Sequence, residues 1–427
     1  MKKLLLLLLL FAGFMACENE IVELPQEQEL LKKAGVSARK NQKIEVYHYD
    51  AHNERWILIN ISANALNGHK NHDDIINLDT QEKIDDFGSI EITNIKGQIV
   101  IGTLGNPNTS ITNLNALSSL TSVKGITIQY NDELTSLNGL NNLKIIGDGL
   151  TIIENPQLTD INGLENLESI GGTAIVGMNG IISDLDGLNN LTTIGGDLSI
   201  TENPQLTGIN GLLNLESIGG TAIVGMNGII SDLDGLNNLT TIGGDLSITE
   251  NPQLTGINGL LNLESIGGTA IVGMNGIISD LDGLNNLTTI GGDLSITENP
   301  QLTGINGLLN LESIGGTAIV GMNGIISDLD GLNNLTTIGG DLSITENPQL
   351  TGINGLLNLE SIGGTAIVGM NGIISDLDGL NNLTTIGGDL SITENPQLTG
   401  INGLLNLESI GGTAIVGMNG IISDLDG

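Results

Sequence analysis

From about residue 87 onwards, apolar residues recur along the chain at short, fixed intervals. In the stretch 187–210 they follow one another three or four residues apart, except at Leu198 and Ile200, which alternate with a polar residue. Alternation is typical of a β-strand, so these two side chains are predicted to point inward. A glycine pair before this segment and a proline after it would interrupt a helix. The pattern therefore predicts one strand with short bends on either side.

The pattern recurs every 24 residues, and two such units form a 48-residue block. Five identical blocks begin at Gly187, Gly235, Gly283, Gly331 and Gly379, after a diverged copy that begins at Gly139. One unit cannot bury its apolar edge alone, whereas stacked units bury it against each other. We therefore predict a mainly β fold, a right-handed single-stranded β-solenoid with 24-residue coils over residues 87–427. About 13 coils would give a rod about 60 Å long.

One asparagine occupies the same position in every unit. An inward amide can bond to backbone groups at the turn and to the amides of neighbouring coils. The sequence therefore predicts a structural asparagine ladder through Asn155, Asn179, Asn203, Asn227, Asn251, Asn275, Asn299 and Asn323. The glycine pair Gly195-Gly196 is expected either to adopt positive φ or to allow close contact between coils.

The repeat pattern L-x2-I-x3-L-x-I-x2-N-x2-L-x2-I resembles a leucine-rich repeat. The glycine pair before the strand makes it more similar to the receptor L-domain type. The residues that carry the resemblance are Leu191, Ile194, Gly195, Gly196, Leu198, Ile200, Asn203 and Leu206, with their equivalents in each copy. The resemblance implies a β-helix with leucine-rich-like coils, and it implies ligand binding without specifying the ligand.

Residues 1–16 have the features of an export signal. The apolar run Leu4–Phe14 is too short to cross a membrane as a helix. Cys17 follows directly and resembles the lipobox cysteine of bacterial lipoproteins, which implies diacylation and attachment to a membrane. The acidic stretch 18–20 is similar to the surface-export signal of Bacteroidetes lipoproteins, which implies an outer-membrane, cell-surface location. An ordinary signal peptide with an incidental cysteine is the alternative.

Two segments separate this anchor from the repeats. Residues 17–42 are polar and charged, and we interpret them as the lipidated cysteine followed by a tether. Residues 43–86 are predicted to form a small β module. In that module, Ile44–Tyr49 and Trp56–Ile61 have the alternation of two strands in a β-hairpin.

All four histidines lie in this module, at His48, His52, His69 and His72. Imidazole suits Zn²⁺, but the spacing matches no known metal motif, so structural histidines are favoured over a Zn²⁺ site. The segment 46–74 resembles a small module of bacterial surface proteins with a Cys-His pair and a later A-L-x-x-H-x-x-H-G-D pattern. Tyr47 replaces the cysteine and Asp73 the glycine of that pattern.

The charge of the chain restricts its partners. The formal net charge is −36, and no lysine or arginine follows Lys144. Such a field repels nucleic acid, which we exclude as a partner. Solubility is the favoured explanation of the acidity, and capture of cations or of a basic partner is the alternative. Each block carries Asp197, Glu202, Glu216, Asp232 and Asp234 or their equivalents. The pair Asp232 and Asp234 is the candidate for Ca²⁺.

The sequence indicates no catalytic residues and no bound cofactor. Beyond residue 80 it has no histidine, and no serine stands in a nucleophile-elbow motif. No aromatic residue follows Tyr130, which disfavours glycan binding by ring stacking. We therefore predict a non-catalytic surface lipoprotein that acts as a binding, adhesion or protein-interaction scaffold for a protein or glycan ligand. A structural spacer or envelope component is the alternative, and a glycan-binding accessory protein is less favoured.

The chain ends at Gly427, the first residue of a further repeat. Solenoids normally need a polar terminal cap. We therefore expect a sequence truncated at the C-terminus, with end-to-end self-association if the last coil is uncapped.

Overall fold

The computed structural model describes residues 43–50, 55–62, 75–89, 91–108, 110–420 and 422–423, with side chains from Ile75 onwards. In these residues it contains a two-stranded sheet and a 27-stranded sheet. Strands β1 (Lys43–Asp50) and β2 (Arg55–Ser62) form the smaller sheet, where the alternation predicted two strands.

The large sheet begins with three strands that precede the regular repeats. These are β3 (Ile75–Leu78), β4 (Asn94–Ile101) and β5 (Ser122–Gln129), and they pair in parallel. The sheet thus starts at Ile75, before the repeat pattern becomes visible in the sequence. Helix α1 (Gln81–Gly88) lies between β3 and β4, and the Thr80 hydroxyl caps it by accepting the backbone N–H of Lys83 at 3.2 Å.

From residue 145 each coil contributes one short strand and one long strand to the sheet. The short strands, with even numbers from β6 to β28, are Ile145–Ile146, Ser169–Ile170, Thr193–Ile194, Ser217–Ile218, Thr241–Ile242, Ser265–Ile266, Thr289–Ile290, Ser313–Ile314, Thr337–Ile338, Ser361–Ile362, Thr385–Ile386 and Ser409–Ile410. The long strands, with odd numbers from β7 to β29, are Leu150–Ile153, Ala174–Gly177, Leu198–Thr201, Ala222–Gly225, Leu246–Thr249, Ala270–Gly273, Leu294–Thr297, Ala318–Gly321, Leu342–Thr345, Ala366–Gly369, Leu390–Thr393 and Ala414–Gly417.

Short 3₁₀ turns complete the coils. They are Asn115–Leu117, Asn162–Leu164, Asp186–Leu188, Asn210–Leu212, Asp234–Leu236, Asn258–Leu260, Asp282–Leu284, Asn306–Leu308, Asp330–Leu332, Asn354–Leu356, Asp378–Leu380 and Asn402–Leu404. The mainly β, single-stranded solenoid predicted from the repeats is therefore confirmed.

From β6 onwards, each strand pairs in register with the equivalent strand of the neighbouring coil. Leu198 pairs with Ala222 and Ile200 with Val224, and in the short strands Ile194 pairs with Ile218. The same inward positions therefore stack along the axis. The side chains of Ile194, Leu198, Ile200 and their partners in the next coil are at most 1% exposed. Aliphatic side chains at the same few positions of each coil thus form one continuous core. This explains why the fold needs almost no aromatic residues.

The glycine pair acts through close contact between coils, and the positive-φ alternative is wrong for it. A Cβ atom at Gly195 would lie 2.1 Å from the carbonyl oxygen of Gly171 in the preceding coil. Positive φ occurs instead at non-glycine residues directly after the long strands, such as Glu202 (57°) and Met226 (54°). The residue directly after each long strand from β7 onwards is therefore left-handed, although it carries a side chain.

Candidate ligand-binding face

The predicted asparagines line the interior, and each bonds to the coil before it. The side chain of Asn203 is fully buried, and its Nδ2 donates to the carbonyl of Val176 at 2.9 Å. Its Oδ1 accepts the backbone N–H of Asn179 at 3.3 Å. Asn203 also donates to the carbonyl of Thr201 in its own coil at 3.1 Å, which closes the left-handed turn at Glu202. The buried members at the predicted positions are Asn155, Asn179, Asn203, Asn227, Asn251, Asn275, Asn299 and Asn323, and the ladder also includes Asn131, Asn347, Asn371 and Asn395.

A second ladder, which the sequence analysis missed, engages one set of the acidic residues. The backbone N–H of Thr221 donates to Asp197 Oδ1 at 2.8 Å, and the backbone N–H of Asp245 donates to the Thr221 hydroxyl at 3.2 Å. Aspartate and threonine alternate at this position in the identical coils. The signal was present in the sequence, because both residue types carry an oxygen that can accept a backbone N–H.

The candidate Ca²⁺ pair does not form a metal centre with its neighbours. Asp232 Oδ1 accepts the backbone N–H of Asp234 at 3.2 Å, and its Oδ2 accepts the Ser231 hydroxyl at 2.9 Å. Asp232 therefore shapes the turn that leads into the 3₁₀ segment. In the part of the chain that the structure describes, no group of three or more His, Cys, Asp or Glu side chains could hold a metal ion.

The other predicted site residues lie outside the described residues or lack described side chains. Cys17, His52, His69 and His72 are outside the described ranges, and of His48 only the backbone in β1 is described. The lipidation of Cys17 and the roles of the histidines stay predictions.

Alternate coils expose apolar side chains where the intervening coils carry polar ones. Ile229 is 42% exposed, and Met274 is 40% exposed. The residues one coil earlier at these positions are Gln205 and Glu250. We call these sets the Met–Ile rows. The pairs with both side chains described in the repeated blocks are Met226 and Ile229, Met274 and Ile277, Met322 and Ile325, and Met370 and Ile373; Met226 is half-buried and the others are 40–47% exposed. Two coils separate successive rows, so they recur about 10 Å apart along the axis.

The methionines of the Met–Ile rows adopt a backbone conformation that is costly for residues with a Cβ. Met226 and its equivalents have φ near 55°, as do the glutamates of the intervening coils. This conformation costs about 1–2 kcal/mol per residue and is often retained at functional sites. The asparagine that follows Met226 bonds to the coils on either side, through its backbone N–H to Asn251 and its Nδ2 to the carbonyl of Ile200, and so fixes the chain directly after the turn.

One glutamate of the intervening coils is electrostatically unusual. Burial raises the pKa of Glu202, and the carboxylate of Glu154 two coils earlier raises it further. The Oε1 atom of Glu202 is buried and has no hydrogen-bond partner in the described residues. The charged state of this carboxyl group is therefore disfavoured in the folded chain.

A groove runs along the short strands on the outside of the same coils. It has a volume of about 1330 Å³ and is lined by three consecutive residues from each coil between Ile145 and Gly411. In successive coils these are Thr193, Ile194 and Gly195 and then Ser217, Ile218 and Gly219. We call it the hydroxyl groove, after the serine or threonine in nearly every coil.

Comparisons with known proteins do not assign the chain to a family. The sequence matches no protein-family profile, and no curated protein is detectably similar to it. Among the described residues, no helix combines the length and apolar character needed to cross a bilayer.

Proposed function

We propose that this protein is a non-catalytic surface lipoprotein that acts as a binding and adhesion scaffold. The observation that carries the proposal is the repetition of the Met–Ile rows. An apolar side chain that is 40% or more exposed recurs at the same place in alternate coils. Gln205 shows that a polar residue fits this position, so the core does not require the isoleucine. Repetition of a weak contact site gives avidity for a repeated or extended ligand.

The same proposal includes the type of coil and the place of the protein in the cell. We infer that the coils are of the receptor L-domain or leucine-rich-repeat type, on the residue pattern that includes Leu191, Ile194 and Asn203. We infer that Cys17 is lipidated and anchors the chain in the outer membrane, facing the exterior. The tether and the small β module would then raise the solenoid above the membrane, where a protein or glycan ligand can reach it.

A structural spacer is the second candidate function. It is supported by the identical blocks, because a spacer needs only length and a stable core. A glycan-binding accessory protein has less support as a stacking site, since no aromatic residue follows Tyr130.

The conversion of the Met–Ile rows tests the adhesive role. Changing Met226→Gln and Ile229→Gln in every identical block replaces these apolar side chains by uncharged polar ones of similar size, so folding should be retained. Retention of producing cells on serum-coated surfaces and cell–cell aggregation should both fall. The matched control is Leu213→Asn in every block, which removes another exposed apolar set (41% exposed at Leu213) and copies Asn189. Unchanged retention and aggregation in the row variant would favour the spacer.

Location is tested by protease treatment of intact producing cells. The proposal predicts that the solenoid is degraded while the outer membrane stays intact. Full protection would place it in the periplasm and would exclude the adhesive role.

A further inference from the structure

We propose that the hydroxyl groove binds an extended, uncharged polysaccharide chain that lies parallel to the solenoid axis. This inference rests on the proposed binding function and names a ligand class for a second surface, distinct in sequence position from the Met–Ile rows.

The length and repetition of the groove favour a linear polymer. The lining residues come from twelve successive coils, between Ile145 and Gly411. At about 4.8 Å per coil, the groove is about 53 Å long. Each coil presents nearly the same lining, and one coil spacing is close to the length of one sugar ring in an extended chain. A polymer of sugar units can therefore repeat the same contact from coil to coil, whereas a compact ligand would use only a few coils.

The hydroxyl groups of the groove are free, although the chain uses other hydroxyl groups for structure. Thr192 donates to the carbonyl of Glu168 at 3.2 Å, and Thr207 donates to the carbonyl of Ser183 at 3.0 Å. In contrast, the hydroxyl groups of Thr193 and Ser217 have no hydrogen-bond partner among the described residues. The groove thus presents unengaged groups that can both donate and accept, as the hydroxyl groups of a sugar chain require.

The lining is also uncharged, in a chain with a net charge of −36. An anionic polymer would be repelled by the surrounding field, and a cationic one would find no carboxylate among the lining residues. Of the lining residues, Ile194 and Ile218 are 1% exposed and belong to the core, so the groove presents hydroxyl groups and glycine backbone to a ligand. An acyl chain would leave the row of hydroxyl groups without partners.

An extended peptide fits the groove less well, because the backbone there is already paired. Ile194 pairs with Ile170 on one side and Ile218 on the other, and the N–H of Gly195 donates to the carbonyl of Ile170 at 2.9 Å. The short strands offer no free edge to which a peptide strand could add. Without aromatic stacking each sugar contact is weak, so affinity must come from the number of coils engaged.

The test is affinity electrophoresis of the full chain in gels that contain one polysaccharide each. The neutral extended probes are mixed-linkage β-glucan, β-mannan and unsubstituted xylan, and the anionic extended probe is polygalacturonate. The variant replaces Thr193, Thr241, Thr289, Thr337 and Thr385 together by valine. Ile145 occupies the same position in an earlier coil, so a branched apolar residue is compatible with the short strand. The control replaces Thr207, Thr255, Thr303, Thr351 and Thr399 by valine, which removes bonds between coils outside the groove.

We expect at least one neutral probe to retard the unmodified chain and polygalacturonate not to retard it. The groove variant should lose about tenfold or more in affinity at an unchanged melting temperature. The control should melt at a lower temperature and keep its affinity. Absence of retardation by all three neutral probes, preference for polygalacturonate, or full affinity in the groove variant would each overturn the proposal. If one of these results is obtained while cell retention still depends on the Met–Ile rows, the groove proposal fails and the proposed binding function stands.

Discussion

The backbone N–H of Thr221 donates to the Asp197 carboxylate at 2.8 Å, from the coil directly after it. The same relationship recurs between Asp245 and Thr269 at 2.7 Å. Between these pairs the Thr221 hydroxyl accepts the N–H of Asp245, so aspartate and threonine form one continuous ladder. One acidic residue of every block therefore has a structural role that its charge alone does not reveal.

This ladder predicts that Asp245 is replaceable by threonine but not by alanine. Asp245→Ala leaves the backbone N–H of Thr269 without its acceptor and should lower the free energy of unfolding by about 1–2 kcal/mol. Asp245→Thr should change it by less than about 0.5 kcal/mol, because Thr221 and Thr269 occupy the same position. Urea denaturation measures both variants, and equal effects would contradict the ladder.

The buried asparagine side chains predict that a substitution at Asn251 lowers the free energy of unfolding more than one at Asp245. Asn251→Leu removes the acceptor of the Asn227 N–H and the donors to the Val224 and Thr249 carbonyls. Unsatisfied polar groups would remain in the core, so the free energy of unfolding should fall by about 2–4 kcal/mol. Hydrogen exchange at the backbone N–H of Asn227 should accelerate. Asn258→Leu, at an exposed position, is the control and should be nearly neutral.

The close contact between coils predicts different outcomes for two glycines of one block. A Cβ at Gly243 would lie 2.1 Å from the carbonyl oxygen of Gly219, whereas a Cβ at Gly256 would meet only Asn258 Nδ2, at 4.0 Å. Gly243→Ala should therefore force neighbouring coils apart and lower the melting temperature markedly. Gly256→Ala should be neutral or slightly stabilising. A scan of thermal unfolding that gave equal shifts would disprove the contact.

The raised pKa of Glu202 predicts a stability that falls as the pH rises. The folded chain holds this proton more tightly than the unfolded chain, whose carboxyl titrates near the ordinary value of 4.5. The free energy of unfolding should therefore increase as the pH falls from neutrality through the raised pKa, and this contribution should level off below 4.5. Glu202→Gln should raise stability at pH 7 and weaken the pH dependence.

Glu250→Gln is the matched control for this pH dependence. Glu250 occupies the same position two coils later, and among the described residues it has no buried carboxylate oxygen without a partner. Denaturation of both variants between pH 4 and pH 8 separates the local effect from the titration of the other acidic groups. The same pH profile in both variants would refute the assignment to Glu202.

The repeat period was sufficient to predict the solenoid, the inward strand positions and the placement of the asparagines. These features follow from apolar spacing, since only stacked coils bury Leu198, Ile200 and Asn203 together. The early part of the sheet was not predictable in this way. Strand β3 and helix α1 precede the regular spacing, and their place depends on pairing with β4.

The features of the candidate faces were harder to predict because they depend on differences between aligned coils. Glu202 and Met226 adopt a conformation that sequence rules assign to glycine, and at Glu202 the bond from Asn203 to the carbonyl of Thr201 closes the turn. The bond between Asp197 and Thr221 becomes apparent only when the aspartate and threonine of successive coils are placed next to each other. The Met–Ile rows and the hydroxyl groove emerge only when alternate coils are stacked.

The dependence of cell retention on the number of blocks tests the proposed function most directly. Deleting residues 235–330 removes two blocks and joins Asp234 to Gly331, which reproduces the natural junction between blocks and keeps the register. The retention of producing cells on serum-coated surfaces should then fall far more than in proportion to the lost length, because avidity depends on simultaneous contacts. Retention that is unchanged at equal surface abundance, with only a thinner surface layer, would contradict a binding scaffold and establish a spacer.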